Sequence, residues 1–501
     1  MKGSCNELSR REMISLLGAG VAYSGLSGCS TPAPAGTAVA TQLADPLTYT
    51  STEALADAIR TKRVSSEEVV KAHLDRIEEV NPKLNAVVQL VADRALQEAR
   101  EADAALAKGE LKGPLHGVPM TIKDSFDTEG VISTGGTKGR AEFVPKKDAT
   151  VVARLREAGA ILLGKTNTPE LTLGFETDNL IYGRTNNPYD LKRSSGGSSG
   201  GAAAIVAAGG ASFDIGSDFG GSIRLPANWN GVACIKPSTG RVPRTGNILP
   251  FGGMLDSLQQ IGPLARYVDD LALTLPIIAG PDWIDPGVFE IPLGNPKDVD
   301  LKKLRISFHT DNGIATPTPD IIDVVRSAAR ALLDGRIPVD EVRPPGLEQG
   351  YDLNMALVLA DGGAAFRRLL RKYGTTEHSL HGIMGVPPLS AVALDALVTR
   401  WYEFRSRLTT FLGDYDVIVC PVYSDIAVIH GGLTAESSLG FSYTFVYNLT
   451  GWPSTVVRGG TSREGMPIGV QVVGRPGRED VTLAVAKYLE TALGGFQRPN
   501  I

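Results

Sequence analysis

Residues 196–243 form the least ordinary part of the sequence, because glycine, serine and alanine crowd into one continuous run. They read GGSSGGAAAIVAAGGASFDIGSDFGGSIRLPANWNGVACIKPSTGRVP. Glycine and serine in bulk are typical of flexible linkers. A linker, however, would not continue into an alanine-rich helical pattern and then into DFGGSIRLPA. The run therefore predicts tight backbone turns inside a folded body.

The overall composition is that of a globular protein. Of the 501 residues, 43% are hydrophobic and 21% are charged, so the chain can bury a large core. The net charge is −5, and no long basic run occurs. Because binding to a phosphate backbone needs clustered Lys and Arg, nucleic acid is not expected as a ligand.

Residues 1–28 are predicted to be an export signal. Arg10 and Arg11 precede an apolar stretch that is too short to span a bilayer, and small residues follow it. The arginine pair resembles a twin-arginine signal. The LSGC that ends at Cys29 resembles a bacterial lipoprotein box, in which the cysteine is acylated and becomes the first mature residue. We therefore expect export to the bacterial cell envelope or periplasm, with membrane attachment only through a lipid on Cys29.

The remainder of the chain is predicted to be one folded domain on a short tether. Residues 29–46 are small, contain proline and lack periodicity, which indicates the flexible tether. Residues 47–501 show no fixed-period repeat and no clear linker, which favours a single domain with a helical lobe around 295–410. Cys234 and Cys420 lie in apolar, strand-like runs and are predicted to be buried free thiols.

Short apolar segments alternate with helical patterns along the body, and this alternation predicts an α/β fold. Helical periodicity covers residues 51–108. Ser65 and Glu68 have the spacing of a capping box, and Gly109 suits a helix stop. Predicted strands include the apolar parts of VPMTIKD, AILLGKT, DYDVIVCPV and GVQVVGRP.

Two segments match known catalytic motifs letter for letter, but the residues around them do not support either function. GAILLGKT, residues 159–166, matches the phosphate-loop pattern, yet its middle residues are themselves the predicted strand, so no nucleotide site is expected. GGSSG, residues 196–200, matches the nucleophile elbow, which would need a histidine base such as His430. His378 and His381 have helical spacing but no nearby third ligand. Neither a metal nor a cofactor is predicted.

Ser222 is the most promising nucleophile in the long glycine run. The glycines beside it allow a tight turn whose N–H groups converge on one point, which is what an oxyanion hole needs. A serine hydroxyl is a weak nucleophile unless a base takes its proton. No histidine lies in this region, so the base must come from elsewhere in the chain.

With these motifs the chain resembles the amidase signature family of serine hydrolases. The resemblance covers nearly the whole body and is carried by GPLHGVPMTIKD, GKTNTPE, the run of residues 196–243, DVIVCPV, NLTGWPSTVVRGG and GMPIGVQVVG. It implies a large, mixed, mostly parallel, twisted central sheet flanked by helices on both faces. It also implies a triad of lysine, cis-serine and serine. The base is then Lys123 of VPMTIKD, the proton relay is Ser198, which follows a cis peptide bond in GGSSGG, and the nucleophile is Ser222 of GGSIR.

The triad makes a specific demand on its lysine. To accept a proton Lys123 must be neutral, so its pKa has to fall through burial. Asp124 is adjacent in sequence, but neighbouring side chains in a strand point to opposite faces, so the two need not form an ion pair.

The groups around the triad follow from the same motifs. The predicted oxyanion donors are the N–H groups of Phe219, Gly220, Gly221 and Ser222. Ser199, Asp218 and Arg224 are predicted to support the triad, with Asp218 and Arg224 as a candidate ion pair.

The resemblance implies hydrolysis of a small-molecule carboxamide, or of a related ester, through an acyl-enzyme and without a cofactor. One alternative is the amidase subunit of a tRNA-dependent amidotransferase, which would work in the cytoplasm and which the export signal disfavours. A second alternative is a catalytically silent envelope binding protein on the same scaffold. The intact Lys123, Ser198 and Ser222 disfavour that second alternative.

Overall fold

Eleven strands in two sheets carry the described part of the chain. The structure is a computed structural model that describes residues 45–253 and 256–501. The predicted export signal and Cys29 lie outside the described residues, as does the tether up to residue 44. The strands are β1 (Val87–Leu90), β2 (Pro119–Lys123), β3 (Ile161–Thr166), β4 (Phe213–Asp218), β5 (Ala233–Lys236), β6 (Gln260–Ala265), β7 (Ile306–Phe308), β8 (Val339–Glu341), β9 (Val417–Pro421), β10 (Ser454–Thr461) and β11 (Pro467–Gly474).

Helices occupy the segments between most of these strands. They are α1 (Thr52–Arg60), α2 (Ser66–Leu84), α3 (Ala92–Ala107), α4 (Thr150–Glu157), α5 (Gly200–Ala207), α6 (Arg224–Asn230), α7 (Val268–Ile278), α8 (Pro319–Asp334), α9 (Gly350–Leu359), α10 (Ala364–Tyr373), α11 (His381–Met384), α12 (Ala391–Asp414), α13 (Ala435–Ser438), α14 (Ser442–Leu449) and α15 (Glu479–Leu493). Within the described residues no helix is both long and apolar enough to cross a membrane.

Local sequence signals fix several of these elements. Ser65 caps α2 through the predicted capping box, since its side chain accepts the Glu68 N–H and the Glu68 side chain accepts the Ser65 N–H. Gly109 follows α3 in the left-handed region, at φ +83°. The segment 159–166, which matches the phosphate-loop pattern, contains β3, as predicted, and Lys165 is buried within that strand.

The larger sheet has eight strands in the order β4-β6-β5-β10-β11-β9-β7-β8, and a smaller sheet has the order β1-β3-β2. The α/β class and the large mixed sheet are therefore confirmed. The expectation that most strands pair in parallel is wrong, because only β9-β7 and β7-β8 are parallel in the larger sheet. The other five pairings are antiparallel. β10 and β11, for example, are joined by the short turn 462–466, which forces them to run in opposite directions.

Helices bury both faces of the larger sheet. Ile235 and Val457 pack in a cluster with residues of α7, α8 and α15. Their neighbours along the strands, Cys234 and Val456, point to the other face and pack with residues of α2, α3 and α5. This alternation is the period of two that a strand imposes. Cys234 and Cys420 are both buried free thiols, as predicted.

The stretch 295–410 contains more than helices. It holds strands β7 and β8 at the edge of the larger sheet, and α8 packs against β9, β10 and β11. Helices α9 and α12 pack with α14 in a separate apolar cluster that also contains Ile418 and Val473 of the sheet. The helices that cover the sheet are thus interleaved along the chain with strands that belong to it.

Candidate active site

Lys123 ends β2 with its side chain completely buried. Its Nζ lies 2.7 Å from the Ser198 Oγ and 3.0 Å from the Ser199 Oγ. The Oγ of Ser217, which the sequence reasoning did not single out, lies 3.0 Å from the same nitrogen. Asp124 points elsewhere, as expected, and its carboxylate accepts hydrogen bonds from Thr134 at 3.1 Å. Among the described residues, Lys123 forms no ion pair.

This environment suits a neutral amine. Burial lowers the pKa of Lys123 to about 7, and the charges of Asp218 and Asp214 only partly oppose that fall. The three close neighbours of Nζ are hydroxyls, which can either accept or donate a hydrogen bond. The lowered pKa brings the neutral form of Lys123, which can accept a proton, within reach near neutral pH.

The segment that carries Ser198 is held in one packed conformation. The Gly197–Ser198 peptide bond is cis, as the resemblance implies. The Thr177 hydroxyl donates to the Gly196 carbonyl at 2.8 Å and accepts the Gly200 N–H at 3.1 Å. A Cβ on Gly197 would lie 2.6 Å from a backbone carbonyl oxygen of Gly174. The glycines here serve close packing, so the linker interpretation is excluded.

Ser222 lies in the turn between β4 and α6 and is 5% exposed. Its carbonyl accepts the Ser199 N–H at 3.1 Å, which ties this turn to the segment of Ser198. In the described part of the chain no hydrogen bond joins the Ser198 and Ser222 hydroxyls. Catalytic hydrogen bonds are commonly long in an enzyme without substrate and shorten when substrate binds.

The predicted oxyanion donors need one correction. The N–H of Gly221 donates to the Asp218 carboxylate at 2.8 Å, so it is not free to bind substrate. The N–H groups of Phe219, Gly220 and Ser222 have no acceptor among the described residues. Gly221 instead shapes the turn, because its φ of +119° disfavours other residues and a Cβ would lie 2.4 Å from the Thr444 Oγ1.

Asp218 and Arg224 form the predicted ion pair, and both side chains are fully buried. Two guanidinium nitrogens of Arg224 each lie 3.0 Å from a different carboxylate oxygen of Asp218. Burial would raise the pKa of Asp218, but the guanidinium outweighs it and holds that pKa well below its ordinary value. The carboxylate also accepts the N–H of Ile223 at 3.1 Å, so the pair clamps both sides of Ser222.

Three residues far along the chain form further hydrogen bonds to this ion pair, and the sequence analysis identified none of them. Arg224 donates to the Gln471 Oε1 at 2.8 Å and to the Thr444 carbonyl at 3.0 Å, and Asn448 donates to Asp218 at 2.9 Å. Asn448 and Gln471 belong to NLTGWPS and GVQVVG, segments that carried the resemblance, but no spacing rule places them next to Asp218.

Aromatic rings cover the turn on the side of Gly220. A Cβ on Gly220 would lie 2.9 Å from the Phe445 Cε1. Phe175 stacks on Phe441 with ring centroids 3.7 Å apart, and its centroid lies 5.9 Å from that of Phe445. Such a wall limits water at the turn, and a low local dielectric strengthens the hydrogen bonds that an oxyanion would form.

Comparison with known proteins identifies the relatives of this arrangement. The family model described as Amidase matches residues 68–483. The chain is 37% identical over 495 residues to fatty-acid amide hydrolase 2-B of Danio rerio, with 92% of each chain covered. It is 36% identical over 475 residues to a glutamyl-tRNA(Gln) amidotransferase subunit of Moorella thermoacetica, with 89% of this chain and 96% of the other covered.

The solved structures agree in fold. The structure of 6-aminohexanoate cyclic dimer hydrolase, complexed with substrate, superposes with a TM-score of 0.80 and 28% sequence identity. The match covers 90% of this chain and 99% of that protein, so nearly the whole described body corresponds to it.

Proposed function

This chain belongs to the amidase family and hydrolyses amide carbon–nitrogen bonds, and we propose that it cleaves a linear carboxamide through an acyl-enzyme on Ser222. One observation carries the proposed assignment of roles. Lys123, buried and with its pKa lowered to about 7, lies 2.7 Å from the Ser198 hydroxyl, and the Ser198 segment is bonded to the turn of Ser222.

In the first half-reaction the Ser222 Oγ attacks the carbonyl carbon of the amide. Its proton passes to the Ser198 Oγ while the Ser198 proton passes to the Lys123 Nζ. The carbonyl oxygen becomes an anion that the free N–H groups of Phe219, Gly220 and Ser222 can bind. Collapse of this tetrahedral intermediate breaks the C–N bond, and the proton returns through Ser198 to the leaving nitrogen.

The second half-reaction repeats the proton route with water as the nucleophile. Water attacks the ester carbonyl of acyl-Ser222 and gives its proton through Ser198 to Lys123. The ester C–O bond then breaks, the proton returns to the Ser222 oxygen, and a carboxylic acid leaves. The products are the acid together with ammonia or an amine.

The Asp218–Arg224 ion pair explains why the buried carboxylate of Asp218 does not keep Lys123 protonated. The guanidinium neutralises Asp218 at 3.0 Å, and Asn448 and the Gly221 N–H occupy the same carboxylate. Asp218 therefore raises the pKa of Lys123 less than burial lowers it. The pair organises the turn while leaving the amine able to lose its proton.

Covalent labelling tests the nucleophile. A fluorophosphonate should phosphonylate Ser222 stoichiometrically and stop amide hydrolysis, because the probe reacts with an activated serine in the same way as a substrate carbonyl. Mass spectrometry of the digested protein locates the label. We expect Ser222→Ala to lose both the label and turnover, with Ser212→Ala, a buried serine outside the site, as the control. A label on Ser198 in the unmodified protein would overturn the assignment.

We also propose that the protein is exported and attached to a membrane through a lipid on Cys29. The support is the sequence SRREMISLLGAGVAYSGLSGC alone. This location favours a hydrolase that acts on free amides over a component of an amidotransferase, although relatives of both kinds match the chain at similar identity.

A further inference from the structure

Asp214 is a fully buried carboxylate at the junction between the two sheets. It lies on β4, which is the first strand in the order of the larger sheet. Its Oδ2 accepts the Thr121 hydroxyl of β2 at 2.6 Å and the Thr166 hydroxyl of β3 at 3.0 Å. Both threonines belong to the smaller sheet. One carboxylate oxygen therefore joins the strand that carries Lys123 to the strand that precedes Ser222.

Strand geometry places both of these threonines beside the base. Thr121 and Lys123 are two residues apart on β2, so their side chains leave the same face of the strand. Thr166 is the register partner of Lys123 on β3. Register partners on neighbouring strands also share a face. The two hydroxyls that Asp214 accepts therefore flank Lys123, one along its own strand and one on the next strand.

The same face of β4 also reaches the surroundings of the base. Gly216 is two residues after Asp214 and shares its face of the strand. A Cβ on Gly216 would lie 2.7 Å from the Ser199 Oγ, and that oxygen is 3.0 Å from the Lys123 Nζ. Asp214 thus lies on the face of β4 that packs against the hydroxyls around Lys123.

Packing alone does not account for a carboxylate at this position. The Oδ1 of Asp214 is buried and has no hydrogen-bond donor among the described residues. Burial of a charge costs free energy unless the charge is paired and fully hydrogen-bonded. Burial raises the pKa of Asp214 to about 6, against the hydrogen bonds from Thr121 and Thr166, so the group is still charged at neutral pH. This anion favours the protonated form of Lys123.

Few other titratable groups act on Asp214. Lys165 of β3 is a second cation whose charge lowers its pKa. His73 of α2, which packs against β2, has its pKa lowered to about 3 by burial, so it stays neutral from pH 5 to pH 9. Helix α5 and strand β6 also pack against β4 and carry no titratable side chain.

Two other carboxylates lie near Lys123, but both are occupied. Asp218 also favours the protonated amine, and it is neutralised by its ion pair with Arg224. Asp124 points away from the amine and accepts hydrogen bonds from Thr134. Among the described residues Asp214 forms no ion pair, so its charge is left to act on the base.

We propose that Asp214 is a positioning residue for the base: its hydrogen bonds hold β2 against β4, and its charge favours the protonated form that Lys123 takes during the reaction. The proposal rests on the proposed function, because it needs Lys123 as the base. When Ser222 attacks, a positive charge forms on the Lys123 Nζ inside the protein. A nearby anion lowers the free energy of that charge, so the buried amine remains basic enough to take the proton.

The pH dependence of covalent labelling tests this role without any choice of substrate. The rate at which a fluorophosphonate phosphonylates Ser222 is measured on the full-length protein from pH 5 to pH 9. In the unmodified protein it should rise through about pH 7, where Lys123 loses its proton. Asp214→Asn removes the charge at nearly constant size, so the midpoint should fall by about one pH unit and the plateau rate should also fall. An unchanged midpoint would overturn the proposal, even if the rate drops.

Asp270→Asn is the matched control. Asp270 is also fully buried, and its carboxylate accepts the Glu53 N–H at 3.1 Å. Among the described residues no hydrogen bond joins it to Lys123, Ser198 or Ser222. The variant should keep the midpoint of the unmodified protein. A midpoint that falls as far in Asp270→Asn as in Asp214→Asn would overturn the proposal, since any buried carboxylate would then have the same effect.

A second pair of variants covers the case in which Asp214→Asn does not fold. Thr121→Val removes one donor to Asp214, which makes the carboxylate easier to protonate, so the midpoint should fall by less than in Asp214→Asn. Thr274→Val is its control, because the Thr274 hydroxyl donates to the Asp270 carbonyl within α7 at 2.8 Å, and it should keep the midpoint. With Asp214→Asn unfolded, equal midpoints in the two threonine variants would overturn the proposal.

The two levels of proposal fail differently. A label on Ser198, or a rise near pH 7 that persists in Lys123→Ala, would contradict the proposed function. A rise that is lost in Lys123→Ala but keeps its midpoint in Asp214→Asn would contradict the role of Asp214 alone.

Discussion

Lys123 shows how the role of one residue depends on its immediate neighbours. Within the described residues, burial lowers the pKa of three lysines: Lys123 and Lys236 to about 7, and Lys165 to about 8. Lys165 donates to the Thr128 hydroxyl at 2.6 Å, and Lys236 donates to the Trp452 carbonyl at 2.6 Å. Of these three lysines, only Lys123 adjoins Ser198. A lowered pKa is therefore shared by several buried lysines, and its position beside the serine hydroxyls distinguishes Lys123 as the proposed base.

The pH dependence of kcat/KM should report Lys123. The pKa is lowered to about 7, so the amine is charged below that pH and neutral above it. Because the reaction needs the neutral form, kcat/KM should rise with pH through about 7 and then level off. Stopped assays of ammonia release between pH 5 and pH 9, in buffers of constant ionic strength, measure the profile.

The matched variants for this prediction are Lys123→Ala and Lys165→Ala. Loss of a general base costs roughly 10²- to 10⁴-fold in rate, so Lys123→Ala should lose that much near pH 7, together with the rise in the profile. Lys165→Ala removes an equally buried lysine whose nitrogen contacts no predicted site residue. A rise near pH 7 that persists in Lys123→Ala would contradict the role of Lys123.

At the level of secondary-structure elements, the sequence predicts local features well but does not predict how the strands pair. The capping box at Ser65, the helix stop at Gly109 and the strand at Ile161–Thr166 all follow from residues within a few positions of each other. The relative direction of the strands does not follow from such short spans. An apolar segment has the same periodicity in either direction, and its partner is chosen by contacts with residues far along the chain.

Removal of the α2 cap should cost stability without affecting catalysis. Ser65→Ala leaves the Glu68 N–H without its side-chain acceptor, which costs about 1 kcal/mol in the free energy of unfolding. In a chain of this length such a loss lowers the melting temperature by about 1 °C, because the entropy of unfolding scales with chain length. Differential scanning calorimetry measures the shift.

Ser327→Ala is the control for the cap. The exposed Ser327 hydroxyl donates to the carbonyl of Asp323 within α8 and accepts from the Arg330 guanidinium at 3.2 Å, so its loss should change stability by less than about 0.5 kcal/mol. Both variants should keep the kcat/KM of the unmodified protein. A larger loss of stability in Ser327→Ala than in Ser65→Ala would contradict the energetic role of the cap.

At the scale of the whole molecule, the site is assembled from distant segments of one body. Lys123 ends β2 in the smaller sheet, Ser222 follows β4 in the larger sheet, and the Asp218–Arg224 pair is completed by α14 and β11. All described site residues lie between the start of β2 and the end of β11. The proposed triad therefore needs only the folded body, and the role that we propose for the N-terminal segment is location.

Lipid attachment should depend on one cysteine of the N-terminal segment. When the full-length protein is expressed in a bacterial host with labelled palmitate, we expect Cys29→Ser to lose the label and to leave the membrane fraction, because the acylated thiol is missing. Amide hydrolysis by the solubilised variant should remain. Cys5→Ser is the matched control and should keep the label. An unlabelled, full-length protein with an intact N-terminus in the cytoplasm would contradict the proposed export.

The sequence by itself determined the local elements and, through the family resemblance, the proposed reacting residues, because the motifs that carry both span only a few residues. GGSSGG, GGSIR and VPMTIKD name Ser198, Ser222 and Lys123, and the structure brings these three segments together. The turn chemistry of glycine and the capping preferences of serine act between close neighbours, so they can be read from the printed chain.

Only the tertiary structure decided which hydrogen bonds and ion pairs surround those residues. It decided that the Gly221 N–H donates to Asp218, which removes Gly221 from the candidate oxyanion donors, and that Gln471 and Asn448 form hydrogen bonds to the ion pair. It also decided that most strand pairs of the larger sheet are antiparallel. The physical reason is that burial, register and the pKa of a side chain depend on which distant segments exclude water from it, and these contacts form only when the whole body packs.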